Sequence, residues 1–193
     1  MTISLDDVKK LREETGVSIM QCKKALEEAE GDFEKARVIL RKVSAQIAEK
    51  KADRELGAGA VQAYVHAGNT VAGVVVLSCE TDFVAKNEEF VALAKDIAMH
   101  VAAMAPQFLS REEVKDEDIA AAKEVFKEEV ADKPADMQEK ILEGKIDSYL
   151  KDKVLLEQAF IKDPSKKIKD LISEATQKFG ERVEVTKAER FSV

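Results

Sequence analysis

Between residues 4 and 43 apolar side chains recur at helical spacing, and small polar residues punctuate them. Ser4 and Asp7 form a capping box ahead of a first stripe of Leu5, Val8 and Leu11, and Gly16 supplies a left-handed stop. Ser18 with Gln21 caps a second helix whose inner face reads Ile19, Cys22, Ala25, Leu26 and Ala29. Gly31 ends it, Asp32 caps a third, and Phe33, Ala36, Leu40 and Val43 continue the stripe. Residues 1–43 therefore predict a three-helix module, marginal on core size alone. The Ala/Lys/Glu-rich stretch 44–59, finishing in "GAGA", predicts a helical extension and then a flexible joint.

The period changes from there. Val61, Ala63 and Val65 alternate with Gln62, Tyr64 and His66, as in a half-buried strand. "AGN" at 67–69 reads as a hairpin turn with Gly68 or Asn69 at positive φ. "TVAGVVVLS", 70–78, is apolar nearly throughout, as a strand covered on both faces would be. From Asn87, an N-cap, the residues Phe90, Leu93, Ile97, His100 and Met104 fall on one helical stripe that Pro106 stops. Further helices fit 117–131 and 135–152. Another is expected from an Asp163 cap with Pro164 at its first position, stopping at Gly180. "RVEVTKAERFSV" alternates as a terminal strand. The fold class expected is α+β: the helical module, then a three-stranded antiparallel sheet packed with helices, with a projecting helical hairpin. By position this gives the module at 1–43, a linker at 44–59, a core of 60–109 and 153–193, and the hairpin at 110–152.

Composition narrows the function classes. The chain has 193 residues, 45% hydrophobic and 36% charged, with aromatics at only 5% and no Trp. The net charge is −7. Residues 1–57 carry 12 basic and 12 acidic side chains, whereas 110–147 carry 7 basic and 13 acidic. Without a basic footprint, direct nucleic-acid binding is not expected. No apolar run approaches the ~20 residues of a membrane span, and "MTISLDDVKK" lacks the features of a signal peptide. A cytoplasmic protein is the expectation. Cys22 and Cys79 read as small buried hydrophobes, and neither combines with His66 or His100 at a zinc-ligand spacing. No phosphate-cradling glycine loop or nucleophile elbow occurs, so neither a cofactor nor an enzyme is expected. Glu80, Asp82 and His100 could be grouped as an active site, but nothing supplies an oxyanion hole beside them.

Several stretches, in order, resemble one family. "LREETGVSIMQCKKALEEAEGDFEKA" (11–36) resembles the ubiquitin-associated-type (UBA-like) N-terminal module of elongation factor Ts. "ETDFVAKNEEF" (80–90) resembles its most recognisable motif, and "IAMHVAA" (97–103) and "LLEQAFIKDPSKKIKDLI" (155–172) resemble two later signatures. The resemblance implies a guanine-nucleotide exchange factor for the translation GTPase elongation factor Tu, acting without a cofactor and breaking no covalent bond. It implies that Thr81, Asp82, Phe83 and Val84 bind the GTPase and dislocate its Mg²⁺. It also implies that His100 faces the partner, and that Arg12, Ile19 and Met20 form a second contact. The chain is short for the family, and an exposed sheet edge would suit a homodimer. A UBA-like adaptor without exchange activity is the rival reading.

The residues themselves leave alternatives open. Phe83 is either a plug for the strand–helix junction or an exposed wedge, which the resemblance favours. Asp82 serves as a turn residue, a partner contact or both. Thr81 and Val84, one β-branched residue on each side, limit the freedom of the turn. His100 lies on an apolar stripe and reads as a core histidine unless the resemblance places it against the partner. Ile19 reads as core and Arg12 as solvated, unless the turn that displays Met20 beside Arg12 is a docking surface.

Overall fold

Local capping builds the N-terminal helices. In the computed structural model, which describes residues 3–130 and 134–193, helix α1 spans Leu5–Thr15. Ser4 Oγ accepts the Asp7 N–H at 3.1 Å while the Asp7 carboxylate accepts the Ser4 N–H at 3.3 Å. Gly16 ends the helix at φ 68°, donating its N–H to Arg12 O at 2.7 Å. Helix α2, Ile19–Glu28, starts at Ser18, whose hydroxyl accepts the Gln21 N–H. Helix α3 starts at Asp32 and runs over Phe33–Lys50, so the expected helical extension continues the third helix without a break. Val8, Leu11, Val17, Cys22, Ala25, Leu26, Ala29, Ala36 and Leu40 make the core of the module. Each fully buried leucine contributes about 1.5–3 kcal/mol relative to an exposed one.

The chain divides into two units. The first holds the described residues up to Val61 together with Val76–Ala94 and Lys169–Val185. Within it, α3 latches onto helix α8, Ile168–Phe179. Ser44 is buried and donates to Leu40 O at 3.0 Å, with Gln177 beside it. Lys51 Nζ donates to Gly180 O at 2.7 Å just past the end of α8, where φ is 70°. Phe90 and Phe179 pack edge to face with centroids 5.8 Å apart. A three-helix core of this size is marginal by itself, and these bonds add to it.

Strands β1 (Ala58–Val65), β2 (Val71–Cys79) and β5 (Glu184–Ser192) form one sheet in the order β1-β2-β5. The sheet is antiparallel. Gly68 and Asn69 both take positive φ in the hairpin turn, and the His66 N–H bonds to Val71 O at 2.9 Å. "GAGA" opens β1. Gly59 is required there because a Cβ would lie 2.6 Å from Leu77 O. The alternation in β1 is present, but Val61 and Val65 are 65% and 57% exposed while Ala60 is buried. Strand β2 is buried fully at Gly73, Val75 and Leu77 and half-covered at Ala72, Val74 and Val76.

The second unit comprises Gln62–Val75, Lys95–Ile168 and Thr186–Val193. Helix α5, Glu88–Met104, starts with Asn87 Oδ1 accepting the Glu89 N–H at 2.9 Å. Its later half presses on β2 so closely that a Cβ on Gly73 would sit 2.2 Å from Ala98 O. Helices α6 (Asp116–Val130) and α7 (Ala135–Lys153) form the expected hairpin. Phe126 and Tyr149 meet edge to face within it, and Lys145 bonds to Glu129 at 2.6 Å. The expected last residue of the first of these helices, 131, lies outside the described residues. Arg111 bonds to Glu157 at 2.5 Å and to Asp147 at 2.6 Å.

Residues 163–167 differ from expectation. They form strand β4 (Asp163–Lys167), paired antiparallel with β3 (Ala159–Phe160), and α8 begins only at Ile168. Asp163 Oδ1 accepts the Ser165 N–H and hydroxyl at 3.2 and 2.6 Å. The carboxylate thus closes a local turn and caps no helix, and Pro164 lies in an extended segment.

Candidate partner-binding site

Strand β2 ends at buried Cys79, and the next four residues reverse the chain into one helical turn. Cys79 Sγ donates to Thr81 O at 3.2 Å. Thr81 is extended at φ −126° and precedes the short helix α4, Asp82–Ala85. The turn then closes through Ala85 N–H to Thr81 O, Lys86 N–H to Asp82 O, and Asn87 N–H to Val84 O, at 3.0–3.2 Å. Val84 points inward and is buried, which pins the turn to the unit's interior. Thr81, Asp82 and Phe83 point outward, and Phe83 is 82% exposed. Phe83 is therefore no plug for the junction.

The base of this turn is held by two carboxylates. Glu181 Oε2 accepts the N–H groups of Glu80 and Thr81 at 3.1 and 3.0 Å, and Oε1 accepts the Thr81 hydroxyl at 2.6 Å. Glu80 in return accepts the Arg182 N–H at 2.6 Å and Arg54 Nη1 at 3.0 Å. Arg182 also donates to Arg54 O at 2.7 Å. The Arg182 N–H, and after it Arg54, hold the Glu80 carboxyl below the usual carboxylate range. Asp82 pairs with Lys86 at 2.6 Å on the surface, and this bond lowers its pKa too. A large aromatic ring thus stands in solvent on a turn whose base is held by hydrogen bonds from the Glu80 and Thr81 N–H groups, an arrangement that limits the ordering a docking contact would require.

The second sequence-predicted contact lies in the same unit, at the α1–α2 corner. Arg12 is exposed, Met20 is 80% exposed and Ile19 45% exposed. Val17 takes the core position, which leaves Ile19 at the surface. An arginine, an isoleucine and an adaptable methionine therefore share one outward corner.

His100 lies elsewhere, in the second unit, and is fully buried. Its Nε2 donates to Gln158 Oε1 at 2.9 Å, and its Nδ1 accepts the Ile161 N–H at 3.3 Å, which fixes the tautomer. Gln158 passes the chain on to Asp152 O at 2.6 Å. Burial lowers the His100 pKa, with the Gln158 bond opposing, so the ring is neutral near pH 7. With no exposed surface and both ring nitrogens satisfied internally, this side chain presents nothing to a partner in this conformation. Its hydrogen bonds tie α5 to the β3–β4 hairpin.

Burial likewise raises the pKa of the Cys22 and Cys79 thiols, which leaves both unreactive. Among the described residues no group of three or more His, Cys, Asp or Glu side chains could hold a metal ion, and no helix is long and apolar enough to cross a membrane.

No local sequence pattern points to Glu181 or Arg182. They follow a helix-stopping glycine and lie 100 and 102 residues from their partners at the turn.

The family profile described as Elongation factor TS matches residues 8–193. Among curated relatives, the elongation factor Ts of Herpetosiphon aurantiacus is 47% identical over 195 residues, covering 100% of this chain and 98% of the relative. That of Thermodesulfovibrio yellowstonii is 48% identical over 194 residues, covering 100% and 97%. That of Thermotoga maritima is 47% identical over 193 residues, again covering 100% and 97%.

Proposed function

This chain belongs to the elongation factor Ts family, and from that premise we propose that it is the guanine-nucleotide exchange factor for elongation factor Tu. Its role as a translation elongation factor follows from the family. The finer reading is that Phe83 enters a pocket of the GDP-bound GTPase and favours a form whose Mg²⁺ site is disturbed. GDP then leaves and GTP takes its place. The observation that carries this reading is the ring itself, 82% exposed on a turn locked at its base.

The physics needed is coupling, with no covalent step and no cofactor. Phe83 has only to bind the deformed GTPase better than the relaxed one. By reciprocity, GDP then weakens the hold of the factor by the same ratio. A coupling of about 3 kcal/mol corresponds to roughly a hundredfold change in affinity. Thr81 and Asp82 flank the ring as further contacts, and Val84 anchors it from inside. Arg12, Ile19 and Met20 supply a second contact from the same unit. Adding the full-length protein at micromolar concentration to elongation factor Tu loaded with a fluorescent GDP analogue should accelerate nucleotide release. No acceleration would reject the reading in favour of a UBA-like adaptor.

The partner set is elongation factor Tu, without nucleic acid or membrane, in a cytoplasmic setting. A second copy of this chain is the other partner we propose. Val65, Ala72 and Phe191 line a shallow depression of about 510 Å³ in the second unit. Covering it would bury the exposed Val65 and Phe191 side chains. Light scattering should give twice the 21.3 kDa chain mass; a monomeric mass at tens of micromolar protein would remove the dimer.

A further inference from the structure

Phe83 can act as an anchor only if the backbone beneath it is fixed, because ordering a loose turn on docking would consume the binding free energy. The geometry of the turn's base is unusual for a helix start. Thr81 occupies the N-cap position of α4, yet its hydroxyl makes no capping bond. The hydroxyl instead donates to Glu181, and the N–H groups of Glu80 and Thr81 donate to the same carboxylate. Three donors from two adjacent residues thus converge on one side chain from a distant part of the chain. Glu80 returns a carboxylate to the Arg182 N–H.

We propose that Glu181 is a positioning residue for nucleotide exchange: its carboxylate fixes the Glu80–Thr81 backbone and so holds Phe83 in its docking geometry without touching the partner. The inference rests on the reading of Phe83 as the exchange anchor. Bonds to an ionised acceptor are stronger than neutral ones, so a single glutamate suffices to immobilise the two residues. The connection carrying Glu181 has its own supports. Gly180 N–H bonds to Thr176 O at 3.0 Å, Val183 N–H to Thr176 Oγ1 at 3.3 Å, and Lys51 to Gly180 O. Removing the Glu181 carboxylate therefore loosens the turn while leaving α8 and the start of β5 attached.

The test is a double-mutant cycle on the full-length protein, read by release of a fluorescent GDP analogue from elongation factor Tu. Glu181→Ala should slow catalysed release about tenfold, the scale of losing one charge-assisted bond. Glu181→Gln, which keeps one oxygen for the two N–H groups, should recover most of the rate. In a Phe83→Ala background, Glu181→Ala should change the rate by less than about twofold, because both substitutions act through the same ring. A purely structural glutamate would instead lower the rate by the same factor in both backgrounds, and that result overturns the proposal. So does an unchanged rate in Glu181→Ala. If Phe83→Ala itself leaves release unaffected, the anchor reading falls and takes this inference with it. Should Glu181→Ala not fold, amide hydrogen exchange on the unmodified protein decides. The Glu80 and Thr81 amides must be protected, and exchange at the rate of free peptide would refute the clamp.

Discussion

Replacing Phe83 by alanine separates stability from function because the ring lies almost wholly in solvent. Full burial of a phenylalanine stabilises by about 1.5–3 kcal/mol. With 82% of the residue exposed, less than a fifth of that is at stake in the free protein, about 0.3–0.5 kcal/mol. For a chain of this length the melting temperature should fall by only about 1–2 °C. In the complex the ring would be buried, and its loss should weaken the productive encounter by roughly ten- to hundredfold. Stopped-flow release of a fluorescent GDP analogue, at factor concentrations below saturation, measures the second quantity, and calorimetry on the free protein measures the first. A drop of more than 5 °C in melting temperature would mean that Phe83 supports its own fold. Release as fast as with the unmodified protein would mean that the anchor is elsewhere.

Two further substitutions probe the second unit. Gly73→Ala places a Cβ 2.2 Å from Ala98 O and 2.8 Å from Ala102 N, both backbone atoms. The resulting shift of α5 from β2 should cost about 1–3 kcal/mol, less about 0.4–1 kcal/mol regained from the unfolded chain. Urea unfolding with an unchanged or higher midpoint would contradict the close approach. His100 makes stability fall with acidity. Its folded pKa is lowered from 6.5, so the unfolded chain takes up the proton first as pH drops below that value. The loss grows until the pH reaches the lower folded pKa. Urea midpoints between pH 7.5 and 5 should show this slope, and His100→Gln should flatten it; an identical slope in the variant would refute the burial account.

Much of the local structure was legible in the sequence because short-range chemistry determines it. Ser4 with Asp7, Ser18, Asp32 and Asn87 each begin a helix as the capping pattern predicts, and the Gly68–Asn69 turn falls where expected. Asp163–Pro164 was misleading because the same pair suits a helix start and a tight turn, and only the pairing of β3 with β4 decides between them. Alternation in β1 located the strand but could not say which face is covered. Ala58, Ala60, Gln62 and Tyr64 take the covered positions, and Val61, Ala63 and Val65 remain outside. The motif around Phe83 was readable as a motif. The carboxylate clamp under it was not, since no local pattern joins residue 80 to residue 182. His100 was readable as a member of an apolar stripe, and burial bears out that part of the reading.

Arg111 stands at the root of the α6–α7 hairpin, joined at once to Asp147 on α7 and to Glu157 beyond it. Both carboxylates keep the guanidinium fully charged. The segment leading into α6 is therefore fastened both to α7 and to the segment that follows it, at the base of the hairpin. A connection of different length between α6 and α7 then costs little more than the slow logarithmic growth of loop-closure entropy. A change of length in that arm should therefore leave the β1-β2-β5 sheet in register.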